Sequence, residues 1–156
     1  MRVIHFLCFG IGAALLAGCQ QQPTVAGAPP SAQVCNASCD VVVSVKETPT
    51  GPQPCDISVN PDIKVDGNDR TIRWQMDDAS AKADFRFDQR DGVLLKPDAS
   101  DPTHQFYEQG PHGGGKQFHW IDKNSYKAMF EYEINVYKGN PHSGIKCKKD
   151  PRIWNS

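Results

Sequence analysis

The chain has 156 residues, a formal charge of −1 at neutral pH, six cysteines and 38% hydrophobic residues. The near-neutral balance excludes a general nucleic-acid binder, which carries a basic excess. The length and apolar content suit one folded domain rather than two.

Met1 and Arg2 open the chain, and residues 3–16 form an apolar run interrupted by His5. A run of that length matches a signal-peptide core and is short for a bilayer span, which takes about 20 residues. The run closes on Leu16-Ala17-Gly18-Cys19. This tetrapeptide resembles the lipobox of bacterial lipoproteins. The resemblance implies cleavage before Cys19, a diacylglyceryl group on its sulfur and acylation of the freed amine. Buried acyl chains, contributing ~0.8 kcal/mol per methylene, then anchor the chain without a transmembrane helix. Gln20 follows, where an Asp would favour inner-membrane retention in enterobacterial lipoproteins, so the resemblance implies the outer membrane. The expected organisation is a signal peptide over 1–18, a lipidated N-terminus and tether over 19–34, and one domain over 35–156. The tether reading rests on three prolines and the absence of charge in QQQPTVAGAPPSAQV.

Beyond residue 34 the pattern alternates. Val41, Val43 and Val45 share a face, as do Ile57 and Val59, then Ile63 and Val65 around Pro61. Ile72, Trp74 and Met76 follow, then Phe85 and Phe87, and finally Phe130, Tyr132, Ile134 and Val136. A period of two indicates strands with one buried face. Turn signals separate them at Pro49-Thr50-Gly51-Pro52, Asp66-Gly67-Asn68, Asp91-Gly92, Asp122-Lys123-Asn124 and Gly139-Asn140-Pro141. The expected strands are 40–46, 56–65, 70–76, 84–88, 92–96, 104–108, 116–121 and 128–138, with an extended piece over 145–154. Residues 79–83 fit a single helical turn. The pattern predicts an all-β, antiparallel β-sandwich, immunoglobulin-like or cupredoxin-like. The ending Asp150-Pro151-Arg152-Ile153-Trp154-Asn155 resembles that of small exported proteobacterial β-sandwich proteins of pattern D-P-x-I-x-N, which supports the fold and transfers no functional residue.

Cys8 leaves with the signal peptide and Cys19 accepts lipid, leaving Cys35, Cys39, Cys55 and Cys147. An even number in an exported domain reads as two disulfides. A four-thiolate zinc site fits less well, because only Cys35 and Cys39 are close in sequence. The first strand of a sandwich often runs beside the last, so a bridge from Cys35 or Cys39 to Cys147 is expected, given Cα atoms within about 7 Å.

The segment Gly110-Pro111-His112-Gly113-Gly114-Gly115-Lys116-Gln117 approaches the phosphate-loop pattern G-x-x-x-x-G-K-[ST], but Gln117 replaces the hydroxyl residue. Residues 117–121 alternate as a strand where the motif needs a helix. No nucleotide is expected. The segment reads instead as a mobile glycine loop between strands, a candidate binding loop comprising Gly110, His112, Gly113, Gly114, Gly115 and Lys116. The domain also holds His104, His112, His119 and His142. A copper-handling site is the alternative reading, with His104, His112 and His119 as its ligand set and no other metal ligands expected. His119 alternates with Phe118 and Trp120, which predicts a solvent-facing ring. No serine sits in a nucleophile elbow, and Asp77, Asp78, Asp98 and Asp101 fall in loops. The basic cluster Lys146, Lys148, Lys149 and Arg152 reads as a solvated strand face, and Tyr107, Tyr126, Tyr137 and Trp154 as packing aromatics. No cofactor, catalysis or nucleic-acid partner is expected. The expected partners are the membrane, through Cys19, and an envelope or surface protein.

Overall fold

A computed structural model describes residues 27–29, 31–60, 62–96, 104–140 and 144–156. The expected signal peptide, Cys19, most of the tether, Asp98, Asp101 and His142 lie outside the described residues.

The strands are β1 (Gln33–Cys35), β2 (Cys39–Glu47), β3 (Cys55–Asn60), β4 (Ile63–Val65), β5 (Arg70–Met76), β6 (Phe85–Phe87), β7 (Val93–Leu95), β8 (Phe106–His112), β9 (Gln117–Asp122), β10 (Met129–Lys138), β11 (Ile145–Lys149) and β12 (Arg152–Asn155). Among the described residues a short α-helix, α1 (Asp78–Lys82), is capped by Asp77, whose carboxylate accepts the Ser80 amide at 2.7 Å. The fold is an all-β, disulfide-bonded sandwich of two mixed sheets. The first has the order β1-β4-β12-β10-β11, with β6 and β7 also paired to β10; the second has the order β3-β2-β5-β9-β8.

Strand β10 organises the first sheet. On one side it pairs with β11 and β12, which keep a single register across Asp150-Pro151: Ile134 faces Lys149 and Glu131 faces Arg152. The Tyr132 amide donates to Pro151 O at 3.1 Å, which carries the ladder across the interruption. The expected extended piece over 145–154 is therefore one continuous edge along β10. On the other side lie β6 and β7.

Alternation becomes burial along these strands. Val41, Val43, Ile72, Trp74, Phe118 and Trp120 point inward from the second sheet, and Phe130, Tyr132, Ile134 and Ile153 from the first. Trp74 stands edge-on to Trp120 at 5.0 Å, and its indole N–H donates to the Tyr132 hydroxyl at 3.1 Å. That bond pairs the buried polar atoms of Trp74 and Tyr132, while the buried Trp120 Nε1 has no hydrogen-bond partner among the described residues. Full burial pushes the Tyr132 phenol far above its ordinary value.

Four expectations change. Residues 56–65 do not form one strand: β3 lies in the second sheet and β4 in the first, and between Asn60 and Ile63 the sequence has a proline, a residue with no amide hydrogen for a ladder. Strand β1 draws Gln33 and Val34 out of the expected tether by pairing in parallel with β4. The pairings β1–β4, β12–β4 and β2–β5 are parallel, so the sandwich is not purely antiparallel. Finally, the disulfides join Cys35 to Cys39 (Cα–Cα 5.1 Å) and Cys55 to Cys147 (Cα–Cα 5.7 Å). No bridge runs from Cys35 or Cys39 to Cys147, because β4 separates β1 from β12, and Cys147 on β11 meets β3 instead.

Candidate functional site

The β8–β9 hairpin contains most of the sequence candidates. Strand β8 extends through Gly110, Pro111 and His112, which face His119, Phe118 and Gln117 across the ladder. The expected loop is thus half strand, and the reversal occupies only Gly113, Gly114, Gly115 and Lys116. The glycines have φ of 57°, 66° and 81°, all left-handed. Three such residues in a row require glycine, since each Cβ there costs ~1–2 kcal/mol. The turn is seated on its neighbours. Gly115 is buried, and a Cβ on it would meet Phe87 O at 3.3 Å. Lys116 O accepts the Met76 amide at 2.9 Å. A strand rather than a helix leaves the turn, so its amides do not form the cradle of a phosphate loop.

Beside the turn, the outer face of the second sheet presents two histidines. Asp40, Arg73, His119 and Gly110 form one cross-strand row, and Val42, Gln75, Gln117 and His112 form the next. Arg73 Nε donates to Asp40 Oδ1 at 2.6 Å. The His112 and His119 rings stack at 4.0 Å with 24° between planes. His119 faces outward, as its alternation with Phe118 and Trp120 predicts, but it lies half-buried there against His112. Its Nε2 is buried and has no hydrogen-bond partner among the described residues. Burial, then the neighbouring His112 and Arg73, lower its pKa, while Asp40 opposes them. The arrangement favours the neutral form of the half-buried His119 beside the exposed His112.

His104 does not join them. It precedes β8, at the opposite end from His112, with a left-handed φ of 48°. The described residues contain no cluster of three or more metal-ligating side chains. The copper ligand set His104, His112 and His119 is thus corrected to a stacked pair.

At the other end of β9 lies a polar cluster that periodicity did not single out. Asp122 is fully buried, and its Oδ1 accepts the Asn124 amide at 2.8 Å and Asn155 Nδ2 at 3.1 Å. Asn124 Nδ2 reaches the carbonyls of Gly67 and Ser156, both at 3.1 Å. Buried Gln105 Oε1 accepts the Ser125 and Tyr126 amides at 2.8 and 3.1 Å. The ending D-P-x-I-x-N now has a physical meaning: Ile153 enters the core and Asn155 latches β12 onto β9. Of the four aromatics, only Tyr126 is strongly exposed, while Tyr137 and Trp154 are buried. Ser125 belongs to the latch, bonded to Gln105, with no catalytic partner in its described contacts.

The chain matches no protein-family model and no curated protein sequence.

Proposed function

We propose that this chain is an outer-membrane lipoprotein, acylated at Cys19, whose sandwich is a non-enzymatic binding domain for another envelope or surface component. The lipobox supports the anchor. The binding half rests on the polarity of the domain along β9. Gly27 and Ala28, which follow the anchor, lie beside Asn155 and Ser156, and Asn155 bonds Asp122 at the end of β9. The glycine turn and His112 sit at its start, roughly 17 Å away by strand rise over a six-residue strand. An anchored domain thus offers the hairpin tip on the side remote from its attachment. Backbone cost points the same way. Glu108, a non-glycine residue, holds a left-handed φ of 51° where the β8 register shifts. Such costs persist where a surface must keep one shape for recognition.

Photo-crosslinking in intact cells tests this reading. A crosslinker replacing His112 or Lys116 is expected to yield a discrete adduct, and one replacing Lys149 is not. Adducts from Lys149 alone would remove the hairpin from the interface. A turnover activity abolished by His119→Gln would refute the non-enzymatic assignment. Cys19→Ser is expected to abolish lipid labelling; retained labelling would refute the anchor.

A further inference from the structure

We propose that the outer face of the first sheet, where the N-terminal segment leaves the domain, docks on an anionic phospholipid surface. The proposal builds on acylation at Cys19. In the ladder, Val34 faces Lys64, Lys64 faces Trp154 and Trp154 faces Met129, so these four side chains form one row across β1, β4, β12 and β10. Their inward neighbours Cys35, Val65 and Phe130 are core residues, so the row points outward. Val34 and Met129, at the two ends of the row, are 52% and 38% exposed.

Cations frame this row. Lys64 and Lys127 line a depression of about 410 Å³ together with Trp154, and the Arg152 guanidinium sits 5.5 Å from the Trp154 ring. None of the three makes a salt bridge among the described residues. The nearby acids are Glu131, opposite Arg152 in the ladder, and Asp62, which accepts the Arg152 amide. Lys96 already lies 3.9 Å from Glu131. Exposed Val34 and Met129, flanking a Trp154 ring that is 5% exposed beneath Lys and Arg, suit the boundary between headgroups and acyl chains. Basic side chains there are drawn to anionic headgroups.

The chain itself selects the occupant. Gly27 and Ala28 line the same depression. Cys19 precedes Gly27 by eight residues, which reach at most about 28 Å when fully extended. An acylated Cys19 therefore holds the bilayer within about 28 Å of this depression.

The test uses the mature lipidated protein in phosphatidylcholine vesicles, with and without phosphatidylglycerol, carrying acyl-chain bromines that quench nearby tryptophan. Trp74 and Trp120 are fully buried in the core, so Trp154→Phe supplies the blank. Wild type is expected to be quenched more than this blank, and more strongly when phosphatidylglycerol is present. The double variant Lys64→Glu/Lys127→Glu, with unchanged near-ultraviolet dichroism, is expected to lose the phosphatidylglycerol dependence. Amine footprinting is expected to protect Lys64 and Lys127 and spare Lys116. Protein that floats with the vesicles but matches the blank, with Lys64 and Lys127 unprotected, overturns docking and leaves the anchor standing. Protein that does not float overturns both.

Discussion

Removing the two disulfides separately should produce very different losses, because the loops they close differ so much. Cys55 and Cys147 are 92 residues apart, and constraining that loop in the unfolded chain is worth roughly 4.6 kcal/mol by chain entropy. Cys35 and Cys39 are 4 residues apart, which gives only about 2 kcal/mol. All four residues are at most 4% exposed, so alanine pairs leave comparable packing defects and the difference reports the loops. The assay is urea unfolding of Cys55→Ala/Cys147→Ala and Cys35→Ala/Cys39→Ala against the oxidised parent. With a slope of about 1–2 kcal/mol per molar, the first pair should lower the midpoint by roughly 2–5 M and the second by less than half as much. The first bridge also joins β3 of one sheet to β11 of the other, so its loss should speed separation of the sheets. Equal losses, or a larger loss from the Cys35–Cys39 pair, would refute the loop-entropy reasoning. Non-reducing peptide mapping that linked Cys147 to Cys35 or Cys39 would refute the pairing itself.

Asn155→Ala removes the amide that bonds buried Asp122 and should cost about 1–3 kcal/mol in the same unfolding assay. An unchanged midpoint would mean that β12 is not held by this latch. Gly114→Ala, at φ 66° but in open space, should cost ~1–2 kcal/mol, whereas Gly115→Ala should cost more because its Cβ also crowds Phe87 O. Equal losses would show that crowding is irrelevant there. Because the folded state lowers the pKa of His119, the unfolded chain binds the proton first as pH falls below about 6.5. That share of stability is complete above the unfolded value and is lost as pH falls from there through the lowered folded value. His119→Gln should therefore flatten the acid side of the stability profile, and thermal unfolding at stepped pH would expose a slope that does not change.

Much of the fold was legible because side-chain alternation is local. The inward sets Ile72, Trp74, Met76 and Phe130, Tyr132, Ile134, Val136 are buried as their period requires. The helical turn fell within a residue of α1, and the extended piece over 145–154 runs as a single edge. Alternation says which face is buried but not which strand lies alongside. So Ile57 and Ile63 shared a period while their strands belong to different sheets, and Cys147 found Cys55 rather than Cys35 or Cys39. The glycines and His112 marked the right hairpin, yet their continuation of β8 depended on β9 being opposite them. Asp122 looked like a turn carboxylate until Asn155, 33 residues away, was brought to it.

By itself the sequence determined the elements that depend on near neighbours: the strand faces, the positions of the turns and the glycine run Gly113, Gly114 and Gly115. Tertiary structure alone decided what depends on distant partners: the order of strands, the disulfide pairing, the stacking of His112 on His119, the polar latch and the row from Val34 to Met129. The physical reason is one of range. A side chain's polarity and a residue's φ preference act within a few residues, whereas strand register brings together groups that the chain keeps far apart.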